Sequence, residues 1–311
     1  MIQIFKTEDN RIQKISEIEA GSWIAMTNPT YEELSEIATR CEVDIEHLRA
    51  PLDEEERSRI EVEDDYTLIL VDIPAVEQKD SKNRYVTLPM GIVVAKDYII
   101  TVCLEETPVL KVFMEGRIRD FYTFKKTRFI LQILYKNSTS YLQYLRVIDR
   151  KSEEIERKLH ISTRNRELIE LLELEKSLVY FTTSLRSNEV VLEKMLKIES
   201  IKKYQEDEEL LEDVIIENKQ AIEMANIYSG ILSGTMDAFA SVISNNLNIV
   251  MKFLATVTIV MSIPTMIASF WGMNFINIPG GNHPFGFYII TLVTLLITVI
   301  SVLIFRKKDL F

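Results

Sequence analysis

Apolar residues along this chain change their pattern twice. Up to about residue 107, short apolar runs such as Tyr66–Val76 and Met90–Cys103 lie between charge clusters, Pro and Gly. Rich in β-branched and aromatic residues and nearly continuous, they predict strands covered on both faces rather than alternating ones. Asn28, Thr30 and Glu32–Glu33, punctuated by Pro29, predict a helix start. The expectation for residues 1–107 is a small α/β (α+β) domain.

After Pro108 the breakers disappear. The next proline is Pro264, and no glycine lies between Gly116 and Gly230. Those two residues most often interrupt helices. Leu168, Leu171, Leu172, Leu178 and Tyr180 fall near helical spacing with charges between them. Very long helices follow, with interruptions expected near His160–Asn165 and Tyr204–Glu208. The resulting division is a helical hairpin over residues 108–205 and a stalk helix from residue 206.

The third pattern is the absence of charge. No Asp, Glu, Lys or Arg occurs from Phe253 to Phe305, a stretch that includes 19 residues at Phe253–Trp271 and 22 at Pro284–Phe305. A bilayer needs about 20 apolar residues per helix, so each can cross once. The stalk over 206–272 is therefore expected to run into the first span, followed by an outer loop (273–283), a second span (284–305) and a basic tail (306–311). Lys252 and Arg306, Lys307 and Lys308 flank the spans, whereas Asn274–His283 has no Lys or Arg. Basic residues stay inside, which predicts a multi-pass protein of the cell membrane with both termini cytoplasmic.

Composition sharpens this picture. The formal net charge is -11 although 47% of residues are hydrophobic, because nearly all charge precedes residue 253. An acidic body argues against nucleic acid, which needs clustered Lys and Arg. The N-terminal MIQIFKTEDN has no signal-peptide pattern, consistent with a cytoplasmic body. Cys41 and Cys103 are isolated and read as reduced core thiols. With no Walker motif, dinucleotide fingerprint or His/Cys cluster, no enzyme is expected.

Within the first span, Thr258, Ser262, Thr265 and Ser269 are spaced 4, 3 and 4 apart and share one helical face. Asn248, Met251 and Leu254 extend that stripe inward, and Gly272 extends it outward. Thr256 lies off it. A second stripe, Thr291, Thr294, Thr298 and Ser301, is expected to pack on the first span. A Ser/Thr stripe serves either helix packing or a hydrated path, and a path needs several chains around an axis. Pro264 leaves the carbonyl of Val260 without its helical partner. Gly230 and Gly234 predict close helix packing below the membrane.

Gly272-Met273-Asn274 directly follows the first span. In this setting the chain resembles a CorA-type magnesium channel, a family that carries Gly-Met-Asn at the end of the first of two C-terminal helices. The resemblance implies a funnel-shaped homo-oligomer of five chains in the bilayer that carries Mg2+, with cobalt and nickel as further cargo. Gly272, Met273 and Asn274 would form the selectivity filter. Magnesium holds its six-oxygen hydration shell tightly, and a ring of Asn oxygens can accept hydrogen bonds from those waters. The run Asn248-Ile249-Val250-Met251-Lys252-Phe253-Leu254 is similar to the family's inner gate, with Met251 and Leu254 as apolar rings and Asn248 beneath. Thr265 matches a pore-facing position. Asp213 matches a carboxylate that binds regulatory Mg2+ between neighbouring chains, with Glu77 or Asp80 as its partner.

Two positions depart from the family pattern. Gly280 follows Pro279 where many magnesium-selective members carry an acid, and Pro264 is displaced by one residue. A zinc, cobalt or nickel transporter of the same scaffold, including the ZntB-like branch, therefore stays open. So does a non-conducting membrane-tethered sensor.

Overall fold

A computed structural model describes residues 1–79, 82–161, 165–198, 204–273 and 283–308. The chain divides into two compact units, Met1–Met236 and Asp237–Phe311.

The first unit is built on a seven-stranded sheet. Its strands are β1 (Ile2–Glu8), β2 (Arg11–Ile15), β3 (Trp23–Thr27), β4 (Arg59–Val62), β5 (Tyr66–Lys79), β6 (Lys82–Ala95) and β7 (Ile99–Cys103). They lie in the order β2-β1-β3-β7-β6-β5-β4. Every neighbouring pair is antiparallel except β3 and β7. Helices cover both faces, which explains strands that read as unbroken apolar runs. In β7, Ile100 and Val102 join a core with Leu34 and Ile37 of α1 (Tyr31–Cys41). Ile99 and Cys103 face the opposite core, beneath α3 (Pro108–Met114) and α4 (Lys126–Ile161).

Met90–Cys103 is not one strand but the end of β6 and all of β7. The N–H of Ala95 donates to the carbonyl of Tyr98 at 3.0 Å, closing a turn around Lys96 and Asp97. Two charged side chains in mid-run mark where burial has to stop. At the start of α1 the Thr30 hydroxyl accepts from the N–H of Glu33, while the Glu33 carboxylate accepts from the N–H of Thr30 at 2.9 Å. This reciprocal cap satisfies two donors that the helix leaves open.

The helices beyond Pro108 share the core of the sheet. Phe129, Leu131 and Leu134 of α4, Val191 and Met195 of α5 (Asn165–Met195), and Leu211 and Val214 of α6 (Gln205–Trp271) cluster with Ile69, Val71 and Ile73 of β5. Pro108 opens α3 at a position where its missing N–H costs nothing, and Thr107 caps Val109 at 3.2 Å. On α5 the buried face is Leu171, Leu174, Leu178, Phe181 and Leu185, spaced 3, 4, 3 and 4. Leu172 and Tyr180 are exposed, so they lie off the face that their spacing suggested.

Cys41 and Cys103 are buried free thiols in opposite cores. Burial pushes them up to about 11 and about 12, respectively, which keeps both thiols protonated at neutral pH.

The break between α5 and α6 begins after Met195, ahead of the expected Tyr204–Glu208. Arg128 of α4 secures the restart: its Nη1 lies 3.1 Å from Glu206 and 3.6 Å from Asp207. Asp207 is buried, and that burial raises its carboxyl pKa, with Arg128 opposing.

The second unit holds the remainder of α6 and α7 (Gly286–Lys307). Both helices are long and apolar enough to cross a membrane. Only 11% of the most apolar window of α6 and none of that of α7 is buried within the chain. A core helix of a water-soluble protein would be mostly covered. These two leave their apolar surface for lipid or for other chains.

Candidate ion-conduction path

The membrane part of α6 carries two distinct faces. At 100° per residue, Thr258, Ser262, Thr265 and Ser269 fall in one narrow arc, and Asn248, Met251 and Leu254 continue it. All seven side chains are exposed in the single chain. Thr256 points the other way and is buried.

The hydroxyls of the exposed arc are turned inward. Thr258 donates to the carbonyl of Leu254 at 2.8 Å, Ser262 to that of Ile259 at 2.8 Å and Thr265 to that of Met261 at 3.0 Å. Each hydroxyl proton is used by the helix itself, so the oxygen presents only lone pairs outward. Outward lone pairs at these three positions suit a cation that arrives with its waters, because those waters are donors.

Pro264 belongs to the other face. With Ala268, Trp271 and Gly272 it lines a groove of about 550 Å³, whose far wall is Phe287, Ile290, Thr291, Thr294, Leu295 and Thr298 of α7. Thr291, Thr294, Thr298 and Ser301 also donate back to their own helix, at 2.8 to 2.9 Å. Thr291, Thr294 and Thr298 of the second polar stripe thus line the α6–α7 groove, whereas Ser301 lies beyond it.

The α6 helix ends at Trp271. The N–H of Gly272 still reaches the carbonyl of Ala268 at 2.9 Å, while that of Met273 bonds Phe270 at 3.4 Å. Gly272 and Met273 thus form the closing turn at the C-terminal end of the stripe. Asn274 lies outside the described residues, as does Asp80.

In the first unit, Asp213 is exposed on α6 beside buried Val214. Glu77 is exposed near the end of β5, in register with Arg84 of β6. Arg84 also reaches across to Glu173 of α5 at 2.7 Å. Among the described residues no hydrogen bond or ion pair joins Glu77 to Asp213 within one chain. Gly230 and Gly234 have no neighbour that an added Cβ would meet, so the close packing expected of them is not made inside the single chain.

Reading the sequence missed the Arg128 clamp on Glu206 and Asp207. An EDEELLED run looks like a uniform acidic face, and only the fold shows that its first two acids are tied to α4.

Known proteins share this sequence pattern and this fold. The family described as CorA-like Mg2+ transporter protein matches residues 19–307. The cobalt/magnesium transport protein CorA of Methanocaldococcus jannaschii is 30% identical over 300 residues, covering 92% of this chain and 90% of that one. The complete structure of the CorA magnesium transporter from the same organism superposes with a TM-score of 0.85 at 26% identity, covering 99% and 98% of the two chains. The cytoplasmic domain of ZntB from Vibrio parahaemolyticus, at 11% identity and a TM-score of 0.60, covers 79% of this chain and 97% of its own and shares the fold alone. A family match over nearly the whole length, on a chain with two bare apolar helices, settles the class: this protein belongs to the CorA-like Mg2+ transporter family, membrane proteins that move divalent cations and are not enzymes.

Proposed function

We propose that this chain assembles with copies of itself, as a pentamer, into a channel that admits Mg2+ to the cytoplasm, with Co2+ and Ni2+ as further cargo. The observation that carries this reading is the exposed arc of α6, where Thr258, Ser262 and Thr265 present proton-free oxygen faces in line with Gly272-Met273. One chain cannot enclose a path with two helices, so the arc becomes a lining only when copies surround an axis. Bare apolar flanks on α6 and α7 leave surface for both neighbours and lipid.

In this reading Asn274 is the outer filter, accepting hydrogen bonds from the waters of the ion. Met251 and Leu254, both more than half exposed in the single chain, close the inner end as apolar rings above Asn248. Lys252 and the Arg306–Lys308 tail, basic where the connection between the spans is not, support a topology with both ends of the membrane part on the cytoplasmic side. Regulatory Mg2+ bridges Asp213 of one chain to Glu77 or Asp80 of the next and holds the path closed; the exposure of Asp213 and Glu77 in the single chain supports that reading. The CorA relative from M. jannaschii, named for both cobalt and magnesium, supports that cargo range.

The test is ion uptake into liposomes containing the full-length protein. Mg2+ uptake that Asn274→Ala abolishes without altering assembly is the expected result. Unchanged uptake in that variant would remove the filter assignment, and uptake of Zn2+ alone would replace Mg2+ as cargo.

A further inference from the structure

One cluster in the first unit has the chemistry of a different class of ion. His47 of α2 (Ile45–Arg49) faces Glu61 of β4 and Glu63 of the β4–β5 turn, and one ligand atom from each lies within 4.8 Å of the other two. The Nε2 of His47 is 3.2 Å from Oε2 of Glu61. Three ligands around a metal at about 2.1 Å sit roughly 3.4 Å apart in a tetrahedral arrangement. Small side-chain movements therefore bring these three into range.

Groups outside the trio aim the ligands. The ring nitrogen Nδ1 of His47 lies 2.7 Å from the Tyr66 hydroxyl, whose oxygen also accepts from the N–H of Asp44 at 3.2 Å. That hydroxyl fixes the plane of the imidazole and leaves Nε2 directed at the carboxylates, as outer partners of metal-bound histidines do. Arg59 donates through Nε to Oε1 of Glu61, and its own charge is shared with Glu56. Oε1 is thereby held and Oε2 faces the cluster. The turn supplies the rest: the N–H of Glu63 donates to the carbonyl of Tyr66 at 2.9 Å, so one tight reversal carries both the ligand Glu63 and the orienting Tyr66.

We propose that His47, Glu61 and Glu63 form a binding site for a first-row transition-metal dication of the Co2+, Ni2+ or Zn2+ class. Magnesium takes oxygen ligands and keeps most of its water, whereas an imidazole nitrogen beside two carboxylates suits the borderline ions. With three protein ligands, at least one coordination position remains for water or a group from a second chain. When the metal binds Nε2, the ring carries its proton on Nδ1 and donates it to the Tyr66 oxygen. The site is separate from Asp213 and Glu77, and it stands whether or not the membrane helices conduct.

The test is equilibrium dialysis of the full-length protein in detergent against Co2+ under a large excess of Mg2+, which fills the oxygen-only sites. The expected result is one Co2+ per chain that Mg2+ does not displace. His47→Gln, which keeps a polar side chain opposite Tyr66, should lose it, and Glu63→Gln at the exposed turn should weaken it at least tenfold. His283→Gln should leave it intact. If His47→Gln fails to fold, Glu63→Gln decides. Full displacement by Mg2+, or unchanged Co2+ binding in Glu63→Gln, would overturn the assignment.

Discussion

Asn188 of α5 pairs with the backbone of Asp72 as a neighbouring strand would. Its Oδ1 accepts from the N–H of Asp72 at 2.8 Å, and its Nδ2 donates to the carbonyl of Asp72 at 2.8 Å. The reason lies in the register. Strand β4 pairs with β5 only from Thr67 to Leu70, so Asp72 stands just past the end of its neighbour. A sheet edge covered by a helix must still satisfy its backbone groups. Asn137 of α4 adds a second donor to the same carbonyl at 2.8 Å.

Replacing Asn188 by Ala should therefore act on the sheet and not only on α5. It strands a backbone N–H in a covered position, a loss of about 1–3 kcal/mol per unsatisfied group. The expected outcome is a lower melting temperature of the purified protein, whereas a swap at exposed Arg186 should change little.

Asp72 itself predicts a pH dependence. Burial raises its carboxyl pKa, with Ser184 and Ser58 opposing. A raised folded-state value means that the stabilising contribution is complete below the ordinary carboxylate value of 3.8 and is lost as pH rises through the folded-state value. Asp72→Asn should thus melt higher than wild type at neutral pH, and the difference should shrink toward pH 4. A difference that grows on acidification would show that the carboxylate is stabilised by its surroundings.

Arg128→Ala should loosen the start of α6. The substitution leaves the buried carboxylate of Asp207 without the cation 3.6 Å away. Amide hydrogen exchange should quicken over Gln205–Leu210 while the β5–β6 hairpin keeps its protection.

Gly91 of β6 is required by its neighbour. A Cβ there would run into the ring of Pro51, in the 3₁₀ turn Ala50–Leu52 that lies over the sheet. Gly91→Ala should cost about 1–3 kcal/mol by overpacking, read as a drop in melting temperature.

Much of this was legible in the sequence, for identifiable reasons. Charge-free runs of 19 and 22 residues announce membrane helices because the bilayer sets their length. Thr30 and Glu33 announce a cap because two side chains three residues apart can exchange bonds with each other's backbone. The stripe of α6 is a matter of counting by 3 and 4. By contrast, Asn188, Arg128 and the His47 cluster depend on contacts between elements far apart in the chain. Nothing in their local sequence separates them from other polar residues. The break inside Met90–Cys103 was available from Lys96 and Asp97, but the surrounding apolar run masked it. The pairing of Asp213 with Glu77 or Asp80 would lie between copies, beyond what the pattern of one chain encodes.

The central claim is that one face of α6 lines a water-filled path, and cysteine accessibility measures it directly. Cys41 and Cys103 are buried with raised thiols, so the wild-type background should be silent toward a charged thiol reagent. Single cysteines are placed at Thr258, Ser262 and Thr265 on the exposed arc, and at Thr256, Val260 and Pro264 away from it, in protein reconstituted for Mg2+ uptake. Modification and block of uptake at the first three positions, with little effect at the others, is the predicted result. Equal block at both sets, or block confined to Thr256, Val260 and Pro264, would contradict the account.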